Sequence, residues 1–257
     1  MNATRLMQCL PPALMAMLSL LTTAVQAADY AAVLDWSQRA VLSTPVSGVI
    51  AEVNVRAGER VEPGQTLLRL DQRRFESVLK NREAQQRKFR LQRDEARREL
   101  ERNRELYART VISAHDMQVA EIAAATAEAE YASAQAALEV ARLDLEYSEL
   151  RAPFAGIVLD VPVSAGMTVI NAEQATPLLV LAQPRPMLAR VRAPLESLPE
   201  LTETGRATVR VDGKNYPVTL AFSDAEPDAE GRYGVAFRFD PGDASLYAGQ
   251  PAELSSE

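Results

Sequence analysis

The sequence predicts an α+β chain: a β-sandwich split in two by a long antiparallel α-helical hairpin, then a small antiparallel β-barrel, an elongated arrangement. Three observations predict it. A short β motif is written twice, "STPVSGVIAEVNVRAG" at residues 43–58 and "RAPFAGIVLDVPVSAG" at residues 151–166. Between the copies lie two stretches free of Gly and Pro. After the second copy come short alternating segments separated by turn signals.

Residues 1–27 read as a signal peptide. Arg5 gives a weakly basic start, "ALMAMLSLLTTAV" is an apolar run, and small residues precede the cleavage expected after Ala27. The run is short against the roughly 20 residues a spanning helix needs. Cys9 is the chain's only cysteine and would leave with the signal, so no disulfide or Cys-based metal site is expected. The formal charge of -7, or -8 without Arg5, argues against a nucleic-acid binder.

Residues 28–71 hold an N-terminal segment and the first β half, and residues 151–184 the second half. With an offset of 108 the copies match at Pro45/Pro153, Gly48/Gly156, Val53/Val161, Val55/Val163, Ala57/Ala165 and Gly58/Gly166. Each reads as a strand, a kink, an Ala-Gly turn and a further strand. Gly48, Gly58, Gly156 and Gly166 mark turns or close backbone approach, where the missing Cβ is an advantage. Neither half buries its apolar face alone, so the two are expected to pack as one sandwich.

The halves resemble those of a lipoyl or biotinyl carrier domain, which makes the sandwich lipoyl-like. In such carriers the halves meet at a hairpin bearing a modified lysine. Here "LLRLDQRRFE" has no lysine at that point and runs into a helix. An intact mass carrying lipoate or biotin would support the carrier reading.

Residues 72–150 form the hairpin. Gln72 to Arg109 and Ala114 to Leu150 each allow about ten unbroken turns, roughly 55 Å at 1.5 Å per residue, and "TVIS" between them leaves room only for a reversal. Ser113 is placed to cap the second helix, with Asp116 in its first turn. The second helix shows a 3,4 series from Met117 through Ala120, Ala124, Ala127, Tyr131, Ala134, Leu138 and Ala141 to Leu145. The first answers with Phe75, Leu79, Phe89, Ala96, Leu100 and Tyr107, and with Arg82, Gln86 and Arg93 in the same register. Charge divides by helix: 13 Lys/Arg against 7 Asp/Glu over residues 72–109, and 1 against 8 over residues 114–149.

Half-sandwich, hairpin, half-sandwich and β-rich end together resemble the periplasmic adaptors (membrane fusion proteins) of tripartite efflux pumps. Members that dock on outer-membrane channels carry an Arg, a Leu four residues on and a Ser seven after that near the hairpin tip. "RNRELYARTVIS" places Arg102, Leu106 and Ser113 at this spacing. The resemblance implies a non-enzymatic periplasmic adaptor. Its partners would be an inner-membrane transporter of the resistance-nodulation-division type, an outer-membrane efflux channel, and further copies in a ring, which in such adaptors is often of six. An adaptor for an ATP-driven exporter has the same architecture. A secreted coiled-coil scaffold without a pump is the remaining reading.

Residues 185–257 are expected to form the barrel. "MLARVRA", "RATVRV", an Asp212-Gly213 turn, "KNYPVTLAF", "RYGVAFRF" and "LYAGQPAEL" alternate, and "PLESLPEL" reads as a short helix. The chain stops soon after, so the membrane-proximal domain of many adaptors is expected to be absent or reduced.

No catalytic constellation is visible. His115 is the only histidine, which precludes a Ser-His-Asp triad or His-based metal site apart from that residue. Met117, Met167 and Met187 are scattered, and no Gly-rich phosphate loop occurs. No cofactor is therefore expected.

Overall fold

The computed structural model describes residues 28–170, 175–203 and 207–256. The expected signal peptide and Cys9 lie outside them. In chain order the elements are β1 (Ala28–Leu42), β2 (Gly48–Val53), β3 (Arg60–Val61), β4 (Thr66–Leu70), α1 (Arg73–Ala108), α2 (Ala114–Tyr147), β5 (Glu149–Arg151), β6 (Gly156–Asp160), β7 (Thr168–Val169) and β8 (Leu179–Ala193). A 3-10 turn (Leu195–Ser197), α3 (Leu198–Glu203), β9 (Ala207–Val211), β10 (Lys214–Ser223), β11 (Tyr233–Phe239) and β12 (Pro251–Ser256) follow. The chain divides into two compact units: Trp36–Met187, and Ala28–Asp35 with Leu188 onward.

In the first unit the duplicated motifs exchange strands. β2 of the first copy pairs with β7 of the second, Gly48 opposite Val169 and Val49 opposite Thr168. β6 of the second copy pairs with β3 of the first, Gly156 opposite Val61 and Ile157 opposite Arg60. One register is the other moved by 108 positions with the copies interchanged, the mark of a local two-fold. The Ala-Gly turns obey it as well: Gly58 N donates to Val158 O and Gly166 N to Ile50 O, both at 2.8 Å, with φ of 86° and 87° at the two glycines. The kink appears as equivalent register shifts, between Ile50 and Glu52 in one copy and between Val158 and Asp160 in the other.

The exchange explains the core. One cluster joins Val55, Val61 and Leu67 to Val158, Leu179 and Leu181, and the other joins Ile50, Leu68 and Leu70 to Val169 and Leu178. Each contains side chains of both halves. Neither half has a complete core without its partner, whatever stands between them in sequence.

In the second unit the strand order is β1, β12, β9, β10, β11, β8, and β1 also pairs with β8, which closes the ring into a six-stranded barrel. Its interior includes Ala32, Leu34, Leu188, Val191, Val209, Val211, Phe237 and Leu254. The Asp212-Gly213 turn sits between paired Val211 and Lys214, with φ of 48° and 76°, as a two-residue hairpin of this hand requires. The barrel fold is as expected, but its first strand lies elsewhere in sequence. β1 pairs antiparallel with β12 from Ala28 opposite Ser256 to Val33 opposite Pro251, so residues read as a lead-in to the sandwich are barrel wall. A boundary was expected at 184/185; the two units divide within β8, between Met187 and Leu188.

Candidate functional site

The hairpin leaves the sandwich through a polar clamp. Thr44, buried, donates to the Tyr147 carbonyl at 2.6 Å, and Leu70 N donates to the carbonyl of buried Ser148 at 2.8 Å. Gln72 Nε2 donates to Ser148 Oγ at 2.8 Å, which ties the start of one helix to the end of the other. Glu149 accepts from Arg69 Nε at 3.0 Å and from Arg151. Burial opposes the charge of Glu149, but Arg151 and Arg69 outweigh it and hold the carboxyl below its usual range. Asp71 accepts from the Arg73 backbone N–H at 3.1 Å and from its guanidinium, which lowers its pKa to about 2.

Along the arm the two 3,4 series face each other. On α2, Ala120, Ala124, Ala127, Ala134, Leu138 and Ala141 are buried, and Met117, Tyr131 and Leu145 half-buried. On α1 no residue is fully buried, and the half-buried seam passes through the polar positions Arg82, Gln86 and Arg93. Two of these converge on Tyr131: Gln86 Nε2 donates to its hydroxyl at 3.1 Å, and the Arg93 guanidinium lies 4.1 Å from its ring centroid. Alanines on one helix admit long polar stems from the other, so the seam is held by small-to-large complementarity and one polar cross-link.

At the tip α1 ends in a Schellman motif. Val111 N donates to Leu106 O at 3.0 Å and Thr110 N to Tyr107 O at 2.9 Å. Position C′, normally glycine, is Thr110 with φ 60°, a costly backbone for a β-branched residue. We expect Thr110→Gly to stabilise the hairpin by about 1 kcal/mol, measured by denaturant unfolding. A strained turn retained at an exposed end is a pointer to function.

Ser113 opens α2 with a full capping box: Asp116 N donates to Ser113 Oγ at 3.2 Å, and Ser113 N donates to Asp116 Oδ2 at 3.2 Å. The Ser113 hydroxyl, followed by its backbone N–H, lowers the Asp116 pKa. A depressed carboxyl adds stability that is complete above its ordinary pKa and is lost as pH falls through the lowered value. Hydrogen-exchange protection of residues 113–117, taken against the intrinsic rate at each pH, should therefore fall on acidification in that window, and Asp116→Asn should remove that pH dependence of the protection.

The three tip residues of the sequence motif thus have structural partners. Arg102 Nη1 pairs with Glu99 Oε2 at 2.6 Å and is exposed, Leu106 is half-buried one turn further along α1, and Ser113 is the cap. Two apolar residues escaped the sequence reading. Tyr107, expected in the seam, is exposed while Leu106 turns inward beside it, and Val111 in the reversal is 64% exposed. Val111 had one visible signal, an apolar residue inside a turn. Among the described residues no group of three or more His, Cys, Asp or Glu is placed to hold a metal ion. None of the described helices is long and apolar enough to cross a membrane.

Residues 38–178, the sandwich with its hairpin, match the CzcB-like barrel-sandwich hybrid domain. The chain belongs to this family. This barrel-sandwich hybrid chain is 30% identical to the macrolide export protein MacA of Escherichia coli O157:H7 over 173 residues, 62% of this chain and 47% of that protein. It is 26% identical to the multidrug resistance protein MdtA of Yersinia enterocolitica over 162 residues, 63% of this chain and 36% of that one. The chain therefore matches less than half the length of either relative. The membrane fusion protein Spr0693 of Streptococcus pneumoniae R6 shares the fold, with a TM-score of 0.70 at 13% identity over 90% of this chain and 98% of that one.

Proposed function

We propose that this chain is a non-enzymatic adaptor in the periplasm, exported by its N-terminal signal. It would link an inner-membrane efflux transporter to an outer-membrane channel as a ring of copies. The observation that carries the reading is the hairpin: two helices of 36 and 34 residues, clamped at the root and ending in a strained, partly apolar tip. Its span of about 50 Å suits bridging rather than packing on its own base. The relatives named for macrolide export and multidrug resistance support the same reading.

In this mechanism Leu106, with Tyr107 and Val111 beside it, enters an apolar groove between channel helices, and Arg102 meets exposed carbonyls or carboxylates. The tips favour the open channel by binding it better than the closed one. A photo-crosslinker at position 106, activated in living cells, is expected to capture an outer-membrane channel. Capture of inner-membrane proteins alone, or of none, overturns the docking assignment.

For the transporter we propose the proton-driven resistance-nodulation-division type. The second reading, with the same architecture, is an adaptor for an ATP-driven exporter. Copurification of the transporter separates the two, as does the response of export to collapse of the proton gradient.

A further inference from the structure

Where the arm leaves its base, the first turns of α1, the last turns of α2 and the segment before β2 border a cavity of about 290 Å³. Most of its wall is hydrocarbon: Phe75 and Val78 from α1, Ala141 from α2, and Val46 from the segment before β2. Phe75 and Val46 also pack on the sandwich core, so two of these walls are held in place. Val78 is 40% exposed, which leaves the cavity open on its side. An apolar hollow of this size with a few polar groups is the form of a small-ligand pocket.

Two charged side chains line it, and they are placed differently. Asp144 is half-buried in the last turn of α2, where the free backbone carbonyls already concentrate negative charge. That turn holds no basic residue. Among the described residues the Asp144 carboxylate accepts no hydrogen bond and joins no ion pair. The other half-buried acids of the root are answered, Asp71 by Arg73 and Glu149 by Arg69 and Arg151.

Arg74 also lines the cavity, yet it forms no ion pair with Asp144. It is exposed and borders a neighbouring cavity as well, on the Asp71 side. A long exposed side chain between two cavities can turn to the other or to water, whereas a carboxylate fixed on a packed helix end cannot. The charge that the hollow leaves unmet is therefore the negative one.

A metal ion does not meet it. One carboxylate among hydrocarbon walls is too few ligands, and among the described residues no group of three or more His, Cys, Asp or Glu gathers for one. An organic cation does. Its charge offsets Asp144 and the helix end, its hydrocarbon covers Val46 and Val78, and the Phe75 ring offers the kind of surface on which quaternary ammonium groups are held.

We propose that the cavity at the root of the arm binds a small aryl-bearing ammonium, its cation at Asp144 and its apolar body among Val46, Phe75 and Val78. A molecule seated there touches the sandwich segment and both helices at once, so binding adds a tie beside the polar clamp and stiffens the departure of the arm. The site lies within one compact unit and goes beyond the proposed function, since it needs neither channel nor transporter.

The test titrates the purified full chain with benzyltriethylammonium by calorimetry, with benzenesulfonate as the anionic counterpart. The expected result is saturable binding of one cation per chain, no binding of the sulfonate, and a Tm that rises with cation concentration. Asp144→Asn should weaken binding about 10-fold or more without harming the fold, because a carboxylate at a helix C-terminus does not stabilise it. Val78→Trp, which fills the cavity from an exposed position, should abolish binding with helicity unchanged. Arg74→Ala should leave binding as it is or tighten it, since a competing positive charge is gone. Absence of saturable binding, equal binding of the sulfonate, undiminished binding by Asp144→Asn or Val78→Trp, or weaker binding by Arg74→Ala each overturns the proposal. None of these substitutions lies at the tip, so a chain that binds the cation but whose position 106 finds no channel keeps this site and sinks the docking, and the reverse pair of results does the opposite.

Discussion

Leu106→Asp is expected to abolish copurification with an outer-membrane channel and to bring export down to the level of a strain lacking the chain. Leu106 is half-buried at the end of α1, where an aspartate displaces only the last contact of the seam, so far-UV circular dichroism should be unchanged. The functional cost is larger because a carboxylate in an apolar groove is desolvated without a partner. An anchor of this kind carries about 2 kcal/mol or more, at least 30-fold in affinity at each tip, and a ring multiplies the loss. Arg102→Asp should act in the same direction. Its present partner Glu99 is exposed, so losing that pair costs the fold little. Normal export by both variants would leave the tip motif as nothing more than a helix end.

The largest stability effect is expected at Gly156, and its symmetry mate supplies the control. A Cβ on Gly156 would stand 2.5 Å from the Ala182 carbonyl oxygen and 3.1 Å from Leu181, on the strand that β6 pairs with. Backbone cannot yield there without moving β8. Gly156→Ala should cost about 1 to 3 kcal/mol, several degrees in Tm. A Cβ on Gly48 would meet the Leu70 Cδ1 at 3.2 Å, the end of a flexible side chain. Gly48→Ala should therefore be clearly milder. Equal Tm losses would mean that the close approach at β8 does not govern the site.

Much of this was legible because it is local or repeated. Gly58 and Gly166 fall at positive φ in equivalent turns, Ser113 caps α2 with Asp116, and the α2 seam is the one its 3,4 spacing describes. What stayed hidden depends on distance or on a third surface. "ADYAAVLDWSQRAVL" gave no sign of belonging to the barrel, because its partner β12 lies far away in sequence. That β2 would pair with β7 of the second copy on one side, besides β4 of its own copy on the other, also follows from packing that spacing within one copy does not show. At the tip, periodicity chose Tyr107 for the seam, but the Schellman turn tightens the last residues of α1 and brings Leu106 inward instead.

The pairing of Ala28 with Ser256 also sets an order of events during synthesis and export. A chain delivered from its N-terminus presents β1 long before β12, so the barrel has no closed wall until β12 arrives. The hairpin, whose contacts are local, can form long before. The sandwich waits for its second copy, and the barrel waits for β12. During that interval β1 is a bare edge with Ala32 and Leu34 uncovered, open to pairing with any other strand nearby. A truncation that removes β12 should therefore be felt first as aggregation in the envelope, with the arm itself still folded.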